Sequence, residues 1–151
     1  MLSETADDAA GSVSAHAATL AEWELLTPAD LSTVDRSEAR LSPAACVVAT
    51  NPNGGQCPSG FACLYQNSNR GGFGVGISAG CGISNLSSVG CPSCTRGNFN
   101  DQMSSWQNVS GQRYCWWFDA GPSGEVHTMG NGVTQNVLAR ENDQASAFGP
   151  C

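Results

Sequence analysis

The stretch CLYQNSNRGG at residues 63–72 has a counterpart 52 positions later, CWWFDAGPSG at residues 115–124. Each copy is followed by a polar ending, NDQMSS at residues 100–105 and NDQASA at residues 142–147. A sequence that repeats a unit of this length predicts two similar structural units that pack on each other. The repeat therefore indicates a fold before it indicates any chemistry.

The composition is typical of an extracellular domain braced by disulfide bonds. The chain has 151 residues, with 8 cysteines, 18 glycines and only 13% charged residues. Disulfides persist in oxidising compartments, so we predict a secreted protein. The first residues lack the basic start and apolar run of a signal peptide, and we expect that a leader has been removed. No apolar stretch approaches the ~20 residues of a membrane-spanning helix.

The negative charge is concentrated at the start of the chain. The net charge is -7, and residues 1–50 carry eight acidic residues against two arginines. The remaining residues carry five acidic residues and four arginines, so they are nearly neutral. Neither part has the basic stripe that neutralises phosphates, and we expect no nucleic-acid partner. We expect a monomer.

Residues 1–45 are predicted to be an acidic, partly helical extension. Leu20, Trp23 and Leu26 have a helix-like spacing. A second helix start follows at residues 27–30, with Leu31, Val34 and Leu41 as its apolar contacts. A propeptide remnant or a docking arm is the alternative interpretation of this segment.

Residues 46–151 are predicted to be a disulfide-rich, all-β domain, because short β-prone runs alternate with glycine turns. In the run Tyr114–Phe118 a two-residue period places aromatic side chains on both faces. This pattern favours a strand that is covered on both sides, and a protein-binding aromatic patch is the alternative.

The first repeat contains an insertion that the second repeat lacks. Cys63 and Asn100 are 37 positions apart, whereas Cys115 and Asn142 are 27 positions apart. The surplus lies in residues 88–97, SVGCPSCTRG, which carry two cysteines. A braced loop that only one repeat has is not required by the fold, so we expect it to carry function.

The run CPSGFACLY at residues 57–65, followed by Gly71 and Gly72, resembles the opening of the actinobacterial peptidase inhibitor family I36. The domain of that family is similar to a βγ-crystallin, and the two Asn-Asp-x-x-Ser endings resemble the βγ-crystallin calcium pattern. The resemblance covers residues 57–151. It implies two Greek-key units that form a single βγ-crystallin-like sandwich.

The resemblance also implies metal ligands and disulfides. Calcium would be bound in one site by Asn100, Asp101 and Ser104 and in the other by Asn142, Asp143 and Ser146, with Ala147 as a departure from the pattern. The alternative is that these polar residues only cap turns. The family pairing implies a Cys57–Cys63 disulfide, and Cys115 with Cys151 is the next pair that we expect. Two further bridges join Cys46, Cys81, Cys91 and Cys94 in an order that the sequence leaves open.

The sequence contains no recognisable catalytic set, so we predict that the protein is not an enzyme. Its two histidines, His16 and His127, have no cysteine or histidine partner at zinc-ligand spacing. We interpret His127 as a surface residue. The Cys91-Pro92-Ser93-Cys94 motif lacks the helix that a redox site requires, which favours a structural disulfide.

The functional hypothesis is a secreted peptidase inhibitor that places a rigid, disulfide-braced loop in the cleft of an extracellular peptidase, with a metalloprotease as one target class. The predicted loop residues are Val89, Cys91, Pro92, Ser93, Cys94 and Arg96. The strand at Cys115 and Trp116 is a second candidate for the reactive segment. The alternative function is a calcium-binding βγ-crystallin module with a structural or surface-binding role and no inhibitory activity.

Overall fold

A computed structural model describes residues 23–26, 34–36 and 46–151, which form two antiparallel sheets. The strands are β1 (Glu24–Leu26), β2 (Val34–Arg36), β3 (Val48–Asn51), β4 (Phe61–Asn67), β5 (Gly71–Ser78), β6 (Cys81–Ile83), β7 (Ser105–Asn108), β8 (Tyr114–Asp119), β9 (Ser123–Met129), β10 (Thr134–Asn136) and β11 (Ala147–Pro150). Short 3-10 helices occupy Ser68–Arg70, Leu86–Ser88 and Ala139–Glu141. The strand order is β1-β3-β5-β4-β7-β10 in the first sheet and β2-β6-β11-β8-β9 in the second.

The two sequence repeats correspond to β4–β7 and β8–β11, and they exchange one strand each. The third strand of the first repeat, β6, pairs with β11 in the second sheet. The third strand of the second repeat, β10, pairs with β7 in the first sheet. Neither repeat can therefore complete a sheet by itself. The predicted all-β sandwich of two packed units is confirmed by the two antiparallel sheets.

The repeats also share an irregularity at the same position. The β4–β5 ladder changes register just before Asn67, and the β8–β9 ladder changes register just before Asp119. Gly72 and Gly124 then have φ values of 69° and 77°. A Cβ at either glycine would collide with the Asn67 or the Asp119 side chain. The repeated glycines are explained by this close approach and by their left-handed backbone.

The main core lies between the two sheets and includes one face of β8. Tyr114 and Trp116 are 0% and 1% exposed, as expected for core residues. The Tyr114 hydroxyl donates a hydrogen bond of 2.7 Å to the backbone oxygen of Cys81. On the opposite face Trp117 is only half-buried. The prediction that β8 is covered on both sides is therefore correct for its inner face and only partly correct for its outer face.

Two described pieces of the N-terminal extension are strands, so the helical interpretation of these positions is wrong. β1 extends the first sheet beside β3, and β2 extends the second sheet beside β6. Trp23 is 4% exposed and packs edge-to-face on Tyr65 with ring centroids 6.2 Å apart. Sheet edges offer unpaired backbone groups, and pairing with them outweighs a weak local helix preference.

The remaining helical positions, Leu20, residues 27–31 and Leu41, lie outside the described residues. The domain boundary at residue 45 stays a prediction, although strands from before it belong to both sheets.

All eight cysteines are paired. The pairs are Cys46–Cys81, Cys57–Cys63, Cys91–Cys94 and Cys115–Cys151. The two pairs that were expected are present, and the structure resolves the order of the other four cysteines. The Cys46–Cys81 bridge joins the segment that enters β3 to β6, and so it connects the two sheets.

The bridges should differ in their effect on stability. Cys46–Cys81 closes a separation of 35 residues, whereas Cys57–Cys63 closes a separation of 6. Chain-entropy arguments give about 4 kcal/mol for the longer loop and about 2 kcal/mol for the shorter one. We expect the double variant C46A/C81A to lose more unfolding free energy in urea than C57A/C63A. Equal losses in the two variants would contradict the role of Cys46–Cys81 in joining the sheets.

Candidate functional site

The inserted segment, residues 88–97, forms a hairpin-like loop in the first repeat, closed by an antiparallel bridge between Gly90 and Asn98. The amide of Phe99 donates to the oxygen of Val89 at 3.0 Å, and the amide of Cys91 donates to the oxygen of Gly97 at 2.9 Å. These backbone bonds close the base of the loop. The tip consists of residues 91–97.

The Cys91–Cys94 disulfide braces the tip from within. It spans a Cα–Cα distance of 5.3 Å, and the Cys94 amide donates to the Cys91 oxygen at 3.0 Å. The Gly97 amide then donates to the Cys94 oxygen at 3.1 Å. Two successive turns and a covalent bridge thus hold the backbone of the tip in one shape.

Gln66 of β4 anchors the tip to the sheet. Its amide nitrogen donates to the Ser93 backbone oxygen at 3.1 Å, and its amide oxygen accepts from the Ser93 hydroxyl at 3.1 Å. The same amide oxygen accepts from the Phe73 backbone amide in β5 at 3.1 Å. Sequence reasoning missed Gln66. The only sequence signal was its difference from Phe118, which occupies the same position in the second repeat.

Some of the predicted loop residues are buried and others are exposed to solvent. Val89, Cys91 and Cys94 are 1%, 0% and 6% exposed, so they cannot contact a partner directly. For Val89 this corrects the prediction, because its apolar side chain packs into the main core. The side chains that face solvent on the tip are Pro92, Ser93, Thr95 and Arg96. The Arg96 guanidinium lies 3.9 Å from the Asp101 carboxylate.

The second candidate segment, at Cys115 and Trp116, is not available to a peptidase. Both residues belong to β8, which is paired with β9 on one side and with β11 on the other. They are 5% and 1% exposed. That candidate is wrong because a central strand has no free backbone groups for a peptidase cleft to bind.

The two polar endings lie against each other. The Asp101 amide donates to the Ala145 oxygen at 2.9 Å, and the Asp143 amide donates to the Met103 oxygen at 3.0 Å. These bonds are equivalent in the two repeats. Asp101 and Asp143 also share a left-handed backbone, with φ values of 60° and 61°. The endings therefore form a paired, approximately two-fold arrangement that the sequence spacing alone did not reveal.

The second ending contributes a hydroxyl to the aspartate of the first. The Ser146 hydroxyl donates to an Asp101 carboxylate oxygen at 3.2 Å. Partial loss of hydration raises the pKa of the Asp143 carboxyl above its ordinary value, and the negative charge of Asp101 adds to the rise. Two carboxylates that repel each other in this way favour the approach of a cation.

The last residue of each ending has a different role from the aspartates. The Ser105 hydroxyl donates to the Asn67 oxygen at 2.7 Å and accepts from the Arg70 amide at 2.9 Å. In the second repeat Ala147 replaces this serine, and Pro122 occupies the position of Arg70. Proline has no amide hydrogen to donate. In the second repeat, Ala147 therefore lacks the hydroxyl that would bond to the turn after β8. The substitution does not remove a hydroxyl that contacts the aspartates.

A separate group of side chains in the described part of the chain has the donor atoms of a metal site. These residues are Glu125, His127 and Glu141, whose nearest donor atoms all lie within 4.8 Å of one another. None of them was predicted as a ligand. His127 was interpreted as a surface residue, but its ring stacks on Trp116 at 4.8 Å and its side chain is only 27% exposed.

Arg140 is the positively charged residue that contacts this group. Its guanidinium donates to both carboxylate oxygens of Glu125, with one bond of 3.2 Å. The hydrogen bond from Arg140, aided by one from His127, holds the pKa of the Glu125 carboxyl below its ordinary value. Arg140 also lies 6.0 Å from the centre of the Phe118 ring.

The chain is similar to solved βγ-crystallin structures. A structure from work on the evolution of the eye lens βγ-crystallin domain fold superposes with a TM-score of 0.53 at 17% identity, over 69% of this chain and 96% of that chain. A βγ-crystallin from Ciona intestinalis gives 0.47 at 20% identity, over 61% and 100% of the two chains. A double mutant of a βγ-crystallin domain from Clostridium beijerinckii gives 0.46 at 25% identity, over 59% and 93%. The first of these supports a βγ-crystallin-like fold and carries no conclusion about function.

The sequence comparisons point to one family. No curated protein matches the chain. No helix in the described residues is long and apolar enough to cross a membrane. The four disulfides are consistent with an extracellular location. The model of peptidase inhibitor family I36 matches residues 50–129, more than half of the chain. The chain therefore belongs to peptidase inhibitor family I36, a family of inhibitors and not of enzymes.

Proposed function

We propose that the protein is a secreted inhibitor that inserts the tip at residues 91–97 into the cleft of an extracellular peptidase. The observation that carries this proposal is the braced and exposed loop that only one of two otherwise similar repeats possesses. The family assignment supports a peptidase as the partner. A metalloprotease is the first class of target to test.

The tip is suited to inhibition because three independent constraints hold it before binding. They are the Cys91–Cys94 bridge, the backbone bonds at the base, and the contacts of Gln66 with Ser93. A loop that is already ordered avoids an entropy cost of about 0.5–1.5 kcal/mol for each side chain immobilised on binding. Binding energy is therefore not spent on ordering the loop.

The same bridge explains how an inhibitor could resist its target. A peptide bond cut between Cys91 and Cys94 would leave both new ends tied by the disulfide. Ser93 would also stay bound to Gln66. The cut ends would remain close together, which favours religation over release.

Arg96 is the exposed cation of the tip and the first residue to test. Its side chain is 66% exposed, and R96A should weaken inhibition of a sensitive peptidase by about tenfold or more, as expected for a contact residue of an interface. The matched control is R113A, because Arg113 is an exposed arginine outside the loop. Inhibition constants for metallo-, serine and cysteine peptidases provide the measurement.

Two results would contradict the inhibitor proposal. One is that the wild-type protein inhibits no peptidase in the panel. The other is that R96A, a glycine-rich replacement of residues 91–97 and R113A all inhibit as strongly as the wild type, provided that each variant keeps its thermal stability.

A second function, calcium binding, is favoured by the paired endings. We propose crossed sites, one built on Asp101 with Ser146 and the other on Asp143 with Ser104. This differs from the sequence-based prediction, which grouped each aspartate with the serine of its own ending. The Ser146–Asp101 hydrogen bond and the equivalent backbone bonds of the two endings support this arrangement. The oxygen donors that calcium prefers are available here as carboxylate, hydroxyl and backbone groups.

The amides of Asn100 and Asn142 complete the predicted ligand set. Arg96 lies 3.9 Å from Asp101, so the loop and a calcium ion would compete for one carboxylate. If both proposals hold, calcium should change the inhibition constant of the protein, and a bound peptidase should change its calcium affinity.

Asp143→Asn separates calcium binding from simple turn formation. The raised pKa of Asp143 means that its ionised form is disfavoured in the folded state. This cost is present at neutral pH, decreases as the pH falls below the folded-state pKa, and is absent below the pKa of the unfolded state. Without calcium, D143N should therefore melt at a slightly higher temperature than the wild type at neutral pH, whereas calcium should stabilise the wild type more.

The control for this experiment is D119N, because asparagine occupies the equivalent position, 67, in the first repeat. Thermal melts in calcium, magnesium and chelator provide the measurement. If calcium stabilises D143N, D119N and the wild type equally, Asp143 does not bind calcium, and the same result for D101N would exclude the other site.

A further inference from the structure

The first repeat has an apolar cluster at the position where the second repeat has charged groups. Phe73, Val75 and Phe99 are 5%, 0% and 0% exposed and belong to the main core. The rings of Phe73 and Phe99 are 6.0 Å apart. In the first repeat these positions are therefore filled by packed apolar side chains.

The second repeat places Glu125, His127 and Glu141 at the corresponding positions. Glu125 and His127 lie 52 positions after Phe73 and Val75, the offset between the repeats. Glu141 directly precedes the second polar ending, as Phe99 directly precedes the first. Three positions that are apolar and buried in the first repeat thus carry metal-ligating side chains in the second, where Glu141 is buried, His127 is half-buried and Glu125 is exposed. Packing does not explain Glu141 and His127, because placing an ionisable side chain at a buried or half-buried position costs stability.

The donor atoms converge on one nitrogen of His127. Its Nε2 lies 2.6 Å from Glu125 Oε2 and 3.5 Å from Glu141 Oε2. Zinc bonds of 2.0–2.2 Å in a tetrahedral site place neighbouring ligand atoms roughly 3.4 Å apart. The contact with Glu141 already has this separation. The contact with Glu125 needs to open by less than about 1 Å, as the metal replaces a proton between the two atoms.

The outer oxygens of both carboxylates are held by other groups. Glu141 Oε1 accepts from the Leu138 amide at 3.2 Å, and Glu125 Oε1 accepts from Arg140 at 3.2 Å. Such bonds orient ligating carboxylates in metal sites. Arg140 also donates to Glu125 Oε2, and this bond has to be released. Its side chain is 63% exposed, so it can turn towards water without burying a charge.

Aromatic rings form one wall of the group. The His127 ring stacks on Trp116 at 4.8 Å and lies 5.9 Å from the centre of the Phe118 ring. These contacts fix the orientation of the imidazole before a ligand arrives. They also place a fluorescent indole directly beside the histidine.

We infer that Glu125, His127 and Glu141 form a binding site for a divalent transition-metal ion, with Zn²⁺ as the best fit. One imidazole and two carboxylates suit zinc, whereas calcium prefers oxygen ligands throughout. The two carboxylates outweigh the single guanidinium of Arg140, so the group carries a net negative charge that attracts a dication. The site shares no ligand with the paired endings, although Glu141 directly precedes Asn142 in the chain, and it does not depend on the inhibitory role of the loop.

Titration of the full chain with ZnCl₂ tests the inference by calorimetry and by tryptophan fluorescence. We expect one zinc ion per chain and a change in the emission of Trp116. H127V introduces the residue of the first repeat, and E141Q removes one charge. Each should weaken zinc binding by about tenfold or more, on the scale known for changes around metal sites. Co²⁺ should give visible absorption that H127V abolishes.

Two controls separate this site from other zinc ligands. H16Q removes the other histidine of the chain and should leave zinc binding unchanged. D143N tests the paired endings and should also leave it unchanged. The inference is overturned if zinc up to about 1 mM does not bind, or if H127V and E141Q bind it as tightly as the wild type while all variants melt cooperatively. Loss of zinc binding in D143N alone would place the ion in the endings instead.

Discussion

The exchange of third strands between the two repeats is the constraint on which the rest of the structure depends. β6 leaves the first repeat to pair in the second sheet, and β10 makes the reverse crossing. Each sheet is therefore assembled from both repeats, and the apolar core between the sheets forms only when both are folded. The Cys46–Cys81 bridge reinforces this dependence because it joins the segment before β3 to the exchanged strand β6.

The exchange also brings the two polar endings together. Each ending precedes the last strand of its repeat, β7 or β11, and these strands lie beside the crossing strands. The backbone bonds from Asp101 to Ala145 and from Asp143 to Met103 are the direct result. Groups that are 42 positions apart in the sequence thereby become neighbours, and the charge of one aspartate affects the pKa of the other.

Duplication has let the two repeats diverge without loss of the fold. The first repeat keeps Phe73 and Phe99 in the core and adds a braced loop, which Gln66 ties to the sheet. The second repeat has no such loop and places Glu125 and Glu141 where the first has phenylalanines. The shared strand exchange supports both arrangements, so each repeat offers a different surface on one scaffold.

The sequence by itself determined the duplication, the β class and the position of the insertion, whereas the Cys57–Cys63 bridge was implied by the family resemblance. The first three depend on spacing or on residues close in the chain, which local chemistry constrains. Only the tertiary structure decided that residues 24–26 and 34–36 are edge strands, that Val89 is buried, and that Glu125 and His127 meet Glu141. These outcomes depend on which distant backbone edges and side chains come together, and no local pattern encodes such contacts.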